Sequence, residues 1–247
     1  MMNTYSETFT VKGTDCDRFG RMRLDSLFLA MQEGGEQHAF RLGVGYDAMM
    51  QRGLFFVLAR IHVHVDRPPH PGDKVVHTTW PGESNRFFCP RYHVFTLEDG
   101  TPLLSAGALW VVLDAANRRI VSPKTLVLGL PDNKEIPAPI ELPVRVPPMD
   151  AHGETFTRTP VFSEFDLNNH VNNTKYTAWL CDALGAKTLE DAFVSDLFAS
   201  YEKEIREELP LTLSLARSGD RFSFLVSSET GSKHFVASGM LAREERA

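Results

Sequence analysis

In the segment Asp166-Leu167-Asn168-Asn169-His170-Val171-Asn172-Asn173, a carboxylate, a carboxamide and an imidazole fall on alternate residues. Were the chain extended there, Asp166, Asn168 and His170 would point to one side. Such a set suits hydrolysis: a base to take a proton from water, a donor to hold a carbonyl oxygen, a carboxylate to orient them. Backbone N–H groups opening a following helix would add fixed donors for an oxyanion. The same residues also compose a polar turn with a helix cap, a role that Asn and Asp fill readily.

The flanking sequence favours a site. Thr155-Phe156-Thr157-Arg158 before it has strand character. After it, Tyr176, Trp179, Leu180, Ala183 and Leu184 recur at helical spacing, with Asn172 or Asn173 as cap and Gly185 as stop. A similar succession stands 149 residues earlier: Thr8-Phe9-Thr10-Val11, then Asp17-Arg18-Phe19-Gly20-Arg21-Met22, then a helix with Leu24, Leu27, Phe28 and Met31. Aligning Asp17 with Asp166 sets Phe19, Gly20 and Arg21 against Asn168, Asn169 and His170. A purely structural turn has little need of that asymmetry, so one site per chain, in the second half, is expected.

Strand signals follow each helix. They run over 55–65, 74–80, 87–97 and 103–114 in the first half, and over 197–205, 211–217, 222–228 and 234–241 in the second. Each half therefore reads as a strand, a long helix and about four more strands. Seven of the fifteen prolines lie between Ser122 and Asp150, which disfavours helix and inner strand there. The expected architecture is α+β, a double hot-dog: two repeats, each a long helix wrapped by an antiparallel sheet. The repeats span residues 1–121 and 151–247, joined by a proline-rich linker over 122–150.

Composition narrows the chemistry. Of 247 residues, 43% are hydrophobic and 23% charged, an ordinary globular balance. The longest apolar run, Ala108 to Leu113, is too short to cross a bilayer, and the start has no leader pattern; a soluble cytoplasmic protein is expected. Lys plus Arg total 26 against 32 Asp plus Glu, a charge of -6 that argues against nucleic-acid binding. Cys16, Cys89 and Cys181 are too widely spaced for a metal knuckle. His62 and His64 alternate along a strand without supporting ligands, and there is no Gly-rich nucleotide loop. No metal and no cofactor are expected.

Asp166 through Trp179 resembles the signature of the acyl-acyl-carrier-protein thioesterases, the fatty-acid chain terminators of plant plastids and some bacteria. The resemblance extends to Asp66-Arg67, Gly72-Asp73, Trp110 through Asp114 with Arg118-Arg119, and Tyr201-Glu202-Lys203-Glu204-Ile205, so nearly the whole chain is covered. It implies a double hot-dog with an acyl-binding first half and a catalytic second half. The family's catalytic Asp, Asn and His carry over onto Asp166, Asn168 and His170, and its Glu onto Glu204. Without the resemblance, Tyr201 to Glu208 reads as a solvated, charged strand face. Plant members have a cysteine directly after the Glu; Ile205 stands here, so a thiolate at that position cannot be the nucleophile.

The resemblance implies hydrolysis of fatty acyl carrier protein thioesters to free fatty acid and holo-carrier, with the phosphopantetheine-linked carrier as partner. Glu204 and His170 would activate water while Asn168 and helix-start amides steady the oxyanion. In a rival route Asp166 attacks the thioester itself, through an anhydride. Other readings are an acyl-CoA thioesterase, a hydratase or dehydratase of the same fold, and a non-catalytic acyl sensor. Leu27, Met31, Phe55, Val57, Ile61 and Trp110 are candidates to line the acyl site, though residues of these types more often serve as plain core. Arg18, Arg21 and Arg23, or Arg118, Arg119 and Lys124, are candidates to meet an acidic carrier. A homodimer is compatible with all of this.

Overall fold

A computed structural model describes residues 3–126, 128–147 and 153–244. The first half contains β1 (Tyr5–Thr10), α1 (Leu24–Arg41), α2 (Tyr46–Gln51), β2 (Leu54–Val65), β3 (Lys74–Pro81), β4 (Cys89–Leu97), β5 (Pro102–Asp114) and the short β6 (Ile120–Val121). The second contains β7 (Glu154–Arg158), α3 (Asn173–Leu184), α4 (Ala186–Leu189), β8 (Ala192–Tyr201), β9 (Leu211–Ser218), β10 (Arg221–Ser228) and β11 (Lys233–Arg243).

These strands form one antiparallel sheet in the order β1-β3-β4-β5-β2-β8-β11-β10-β9-β7, with β6 paired to β5. The second five strands repeat the first five in reverse spatial order, so a local two-fold relates the halves. At the seam, β2 pairs with β8 in the register Arg60↔Ser200, Ile61↔Ala199, His62↔Phe198, Val63↔Leu197 and His64↔Asp196. Period-2 alternation explains the two faces. Ile61, Val63 and Val65 are buried in the core. His62 faces the other way, stacked on Phe198 with ring centroids 3.8 Å apart.

Helix α1 buries Leu24, Leu27, Phe28 and Met31, the spacing a helix needs to present one apolar stripe. Helix α3 buries Tyr176, Trp179, Leu180 and Leu184. The Asn172 side chain caps α3 by accepting from the Thr174 N–H at 3.0 Å, and Gly185 ends it at φ 77°. Side chains of both halves, Met31 and Trp179 among them, belong to one hydrophobic cluster. The repeats thus share a core.

The proline-rich stretch lies against the sheet over part of its length. The Glu141 carbonyl is 3.0 Å from His62 Nδ1. A Cβ on Gly107 would meet Leu142 at 3.1 Å and Ile140 at 3.2 Å, so glycine lets the segment lie flat there. The end of the expected linker, Pro148 to Asp150, lies outside the described residues.

Two strand expectations need correction. The fourth strand begins at Cys89 rather than Phe87. More consequentially, β8 starts at Ala192 and ends at Tyr201, so Glu204 sits in the irregular segment after the sheet. The charge run after Tyr201 turns away from the ladder; its first two N–H groups, of Glu202 and Lys203, donate to the His234 carbonyl at 2.9 and 3.4 Å.

Candidate active site

Asp166, Asn168 and His170 are not on an extended strand. The chain turns from Asp166 to Asn169: the Asn169 N–H donates to the Asp166 carbonyl at 2.9 Å, and Asn169 takes a left-handed φ of 57°. Asp166 Oδ1 accepts from the backbone N–H of Asn168 at 2.8 Å and of His170 at 3.4 Å. The Asp166 N–H donates to the His170 carbonyl at 2.9 Å. Asp166 therefore orients the imidazole through the backbone.

The same turn occurs in the first half. Asp17 Oδ1 accepts from the N–H groups of Phe19 and Arg21 at 2.8 and 3.0 Å, and Gly20 supplies the left-handed position at φ 82°. The side chains differ as the alignment requires: Phe19 for Asn168, Arg21 for His170.

Glu204 reaches the turn from the segment after β8. The Val171 N–H donates to the Ile205 carbonyl at 2.9 Å, pinning that segment to the mouth of α3. Glu204 Oε2 then lies 3.2 Å from His170 Nε2. Arg206 donates to the same oxygen through NH2 at 2.8 Å and Nε at 3.3 Å, and Arg118 donates to Oε1. The first half has the matching clamp: the Met22 N–H donates to the Pro69 carbonyl at 2.7 Å, and the Asp66 and Arg67 N–H groups donate to Leu103. By that correspondence Pro68 occupies the Glu204 position. At the His170 and Glu204 positions thus stand a guanidinium and a proline ring; beside the turn, His70 Nδ1 is 2.9 Å from the Gly20 carbonyl and its Nε2 is 2.8 Å from Glu244.

Burial pulls the His170 imidazole below its ordinary range, and the nearby Arg206 and Arg118 act in the same sense; Glu204 and Asp166 oppose them. His170 is largely buried, with 16% of its side chain exposed, against 29% for Glu204. A neutral imidazole beside a carboxylate that two arginines hold in place can accept a proton from water.

Helix-start amides are largely committed within the protein. The Asn172 N–H donates to the Glu164 carbonyl, Thr174 to the Asn172 side chain and Lys175 to the Asn172 carbonyl. Together with the Val171 bond to Ile205, this removes most of the oxyanion donors expected from the helix mouth. The Asn168 carboxamide is a side-chain donor on the same turn as the imidazole, its Oδ1 accepting from the Tyr46 hydroxyl at 3.2 Å.

A cleft of about 1730 Å³ opens onto these groups and is lined by both halves. Asp166, Asn168, His170 and Glu204 lie along it with Met31, Phe55, Val57 and Trp110. Leu27 and Ile61, also considered as lining, are absent from the residues that border it; Ile61 belongs to the core. A second cavity, of about 630 Å³, borders Phe19 and Arg21 at the related position in the first half. There Arg21 is 3% exposed, bonds the carbonyls of Ala192 and Leu189 and pairs with Asp17 at 3.2 Å. This removes Arg21 from the docking candidates. Arg118, another of them, serves Glu204 instead. Arg206 was not anticipated; its only sequence signal is its place two residues beyond Glu204.

Sequence models of the acyl-ACP thioesterase N-terminal and C-terminal domains match residues 2–125 and 150–238. The chain belongs to the acyl-ACP thioesterase family. Among curated relatives, the acyl-[acyl-carrier-protein] hydrolase FATB3, chloroplastic, of Cuphea viscosissima is 24% identical over 92% of this chain and 60% of its own length. The chloroplastic palmitoyl-acyl carrier protein thioesterase of Gossypium hirsutum is 27% identical over 81% of this chain and 52% of its own. The chain thus spans between half and two thirds of these relatives. In fold it is similar to an acyl-ACP thioesterase from Bacteroides thetaiotaomicron (TM-score 0.87, 20% identity, 97% of this chain and 98% of that one). A 12:0-ACP thioesterase from Umbellularia californica is comparably similar (TM-score 0.84, 23% identity, 99% of both chains). The family's fold is the expected double hot-dog.

Proposed function

We propose that this family member hydrolyses fatty acyl carrier protein thioesters to free fatty acid and holo-carrier, ending chain elongation in cytoplasmic fatty-acid synthesis. The observation that carries the reading is the His170–Glu204 pair, 3.2 Å apart beside a cleft with apolar lining. His170 takes a proton from water as the water oxygen bonds to the thioester carbon. Asn168 donates to the carbonyl oxygen as it becomes an oxyanion. Collapse breaks the carbon–sulfur bond, and the imidazolium returns its proton to the departing thiolate.

The second repeat, 151–247, supplies the base and its carboxylate, and the first, 1–121, supplies apolar lining together with Arg118 and Tyr46. Family membership and the helix-and-sheet repeats at both ends of the chain support a division at the 122–150 stretch. Among the docking candidates, Arg18, Arg119 and Lys124 remain for an acidic carrier, since Arg23 bonds Asp25 and the carbonyls of Thr14 and Cys16. Among the described residues, no helix is long and apolar enough to cross a membrane.

Cysteine chemistry is a poor alternative. Burial pushes the Cys181 thiol up to about 12 and raises those of Cys16 and Cys89, which disfavours the thiolate at neutral pH. Asp166 as nucleophile is disfavoured by the two N–H groups its Oδ1 already accepts. An acyl-CoA substrate needs the same chemistry and differs only in the carrier. Thiol release from matched acyl-ACP and acyl-CoA series tests the assignment; faster release from acyl-CoA throughout would transfer it.

A further inference from the structure

The Tyr46–Asn168 contact joins the two halves across the cleft. Tyr46 opens α2, with Gly45 as its cap, and the Met49 N–H donates to the Gly45 carbonyl at 3.0 Å. In the second half, Gly185 caps α4 and the Leu189 N–H donates to the Gly185 carbonyl at 3.1 Å. This correspondence sets Ala186 against Tyr46, just as the repeated turn sets Phe19 against Asn168. Ala186 and Phe19 both border the smaller cavity, as Tyr46 and Asn168 both border the larger.

The comparison separates a general feature of the fold from a feature of one site. If closing a short helix over the turn needed a hydrogen bond, the first-half turn would need one too. Its side-chain pair is a methyl group and a phenyl ring, which can form none. The hydrogen-bonded pair occurs on the side where the turn itself carries an imidazole, His170, against Glu204. Tyr46 is 52% exposed, so its ring is not there to fill the core. An exposed asparagine rotates easily about its side-chain bonds, and ordering it costs conformational entropy. A phenol donating to Oδ1 fixes the amide plane and leaves the NH2 group as the donor available to a substrate oxygen.

We propose that Tyr46 is a positioning residue, which holds the Asn168 carboxamide so that its NH2 group meets the thioester carbonyl as negative charge develops there. The inference rests on the proposed hydrolase reading and adds a residue to it from the opposite half. Tyr46 touches no reacting atom and acts only through Asn168. Its contribution therefore belongs to turnover rather than to ground-state binding.

A double-mutant cycle tests this on the full-length protein with an acyl carrier protein thioester. Tyr46→Phe should lower kcat about tenfold and leave KM within about twofold, the signature of an interaction that matters in the transition state. Asn168→Ala should lower kcat on the order of 10², as for loss of one oxyanion donor. Adding Tyr46→Phe to Asn168→Ala should cost nothing more. An unchanged kcat in Tyr46→Phe, a rise in KM alone, or the same tenfold loss in both backgrounds would each overturn the proposal. So would full activity in Asn168→Ala. Failure of the hydrolase reading is distinguishable, because the unsubstituted protein would then release no thiol. Unfolding temperatures of the single variants, expected to match the parent, exclude loss through misfolding.

Discussion

His170 and Arg21 stand at the same place in two copies of one turn, each with its backbone N–H held by an aspartate two hydrogen bonds deep in the loop. One copy carries a largely buried imidazole against Glu204. The other carries a buried guanidinium, tied to two backbone carbonyls, with Pro68 where the carboxylate would be. The scaffold occurs twice, and the turn carries the imidazole against Glu204 in one copy.

Substituting either member of the pair should therefore stop turnover without unfolding the chain. His170→Ala and Glu204→Ala are each expected to lower kcat on the order of 10² or more, the range for general acid–base groups. The matching substitution Arg21→Met should act on stability instead, since it removes a buried group that bonds Ala192 and Leu189. Steady-state kinetics beside thermal unfolding of the three variants checks this. Full activity in His170→Ala would remove it from the mechanism.

The pH dependence carries a sign. A base works when deprotonated, and burial holds the His170 imidazole below its ordinary 6.5. The rise of kcat/KM with pH should therefore have its midpoint below 6.5. Arg206 opposes the imidazolium, so Arg206→Met should move the midpoint upward. A midpoint above 6.5 in the parent protein would show that another group titrates.

The nucleophile can be read separately. Changing Cys16, Cys89 and Cys181 together to Ala should leave kcat within about threefold, since raised thiols supply little thiolate. A single turnover in ¹⁸O-water should place label in the released fatty acid and none in the peptide that contains Asp166. Label in that peptide would favour the anhydride route.

Glu164 supports the site from behind. It accepts from Trp179 Nε1 at 2.8 Å, from the Val161 N–H at 2.9 Å and from Arg158. Burial alone would raise its carboxyl, but these donors outweigh it and hold it below 4.5. Its stabilisation is then present above the unfolded value near 4.5 and is lost as pH falls through the lower folded value. Glu164→Gln should cost about 2 kcal/mol or more near neutral pH, with the difference from the parent shrinking in acid. Chemical denaturation across that range measures it.

Much of the fold was legible because the sequence states it twice. Helical spacing in Leu24, Leu27, Phe28 and Met31, and strand alternation through Ile61, Val63 and Val65, carry their own geometry. The recurrence of strand, turn and first helix with a 149-residue offset carries the repeat. The segment after Tyr201 was not legible, because a charged run resembles an exposed strand face until the His234 and Val171 contacts draw it off the sheet. The segment at Asp166 stayed open between an extended run and a polar turn, because alternation alone cannot register that the carboxylate bonds its own backbone. Arg118 and Arg206 were obscure for another reason. An arginine looks like solvated surface in sequence, and only tertiary contact shows which carboxylate it holds. The burial of His77, His93 and Arg91, with the two imidazoles 3.0 Å apart, is likewise visible only in the fold.

The most direct test of the central claim is thiol and fatty-acid release by purified protein across a ladder of acyl carrier protein and acyl-CoA thioesters. Equal amounts of free acid and carrier thiol, faster from the carrier protein series and lost in His170→Ala, are predicted. No thiol release from any member of either series, or conversion of the acyl chain with the thioester intact, would contradict the account.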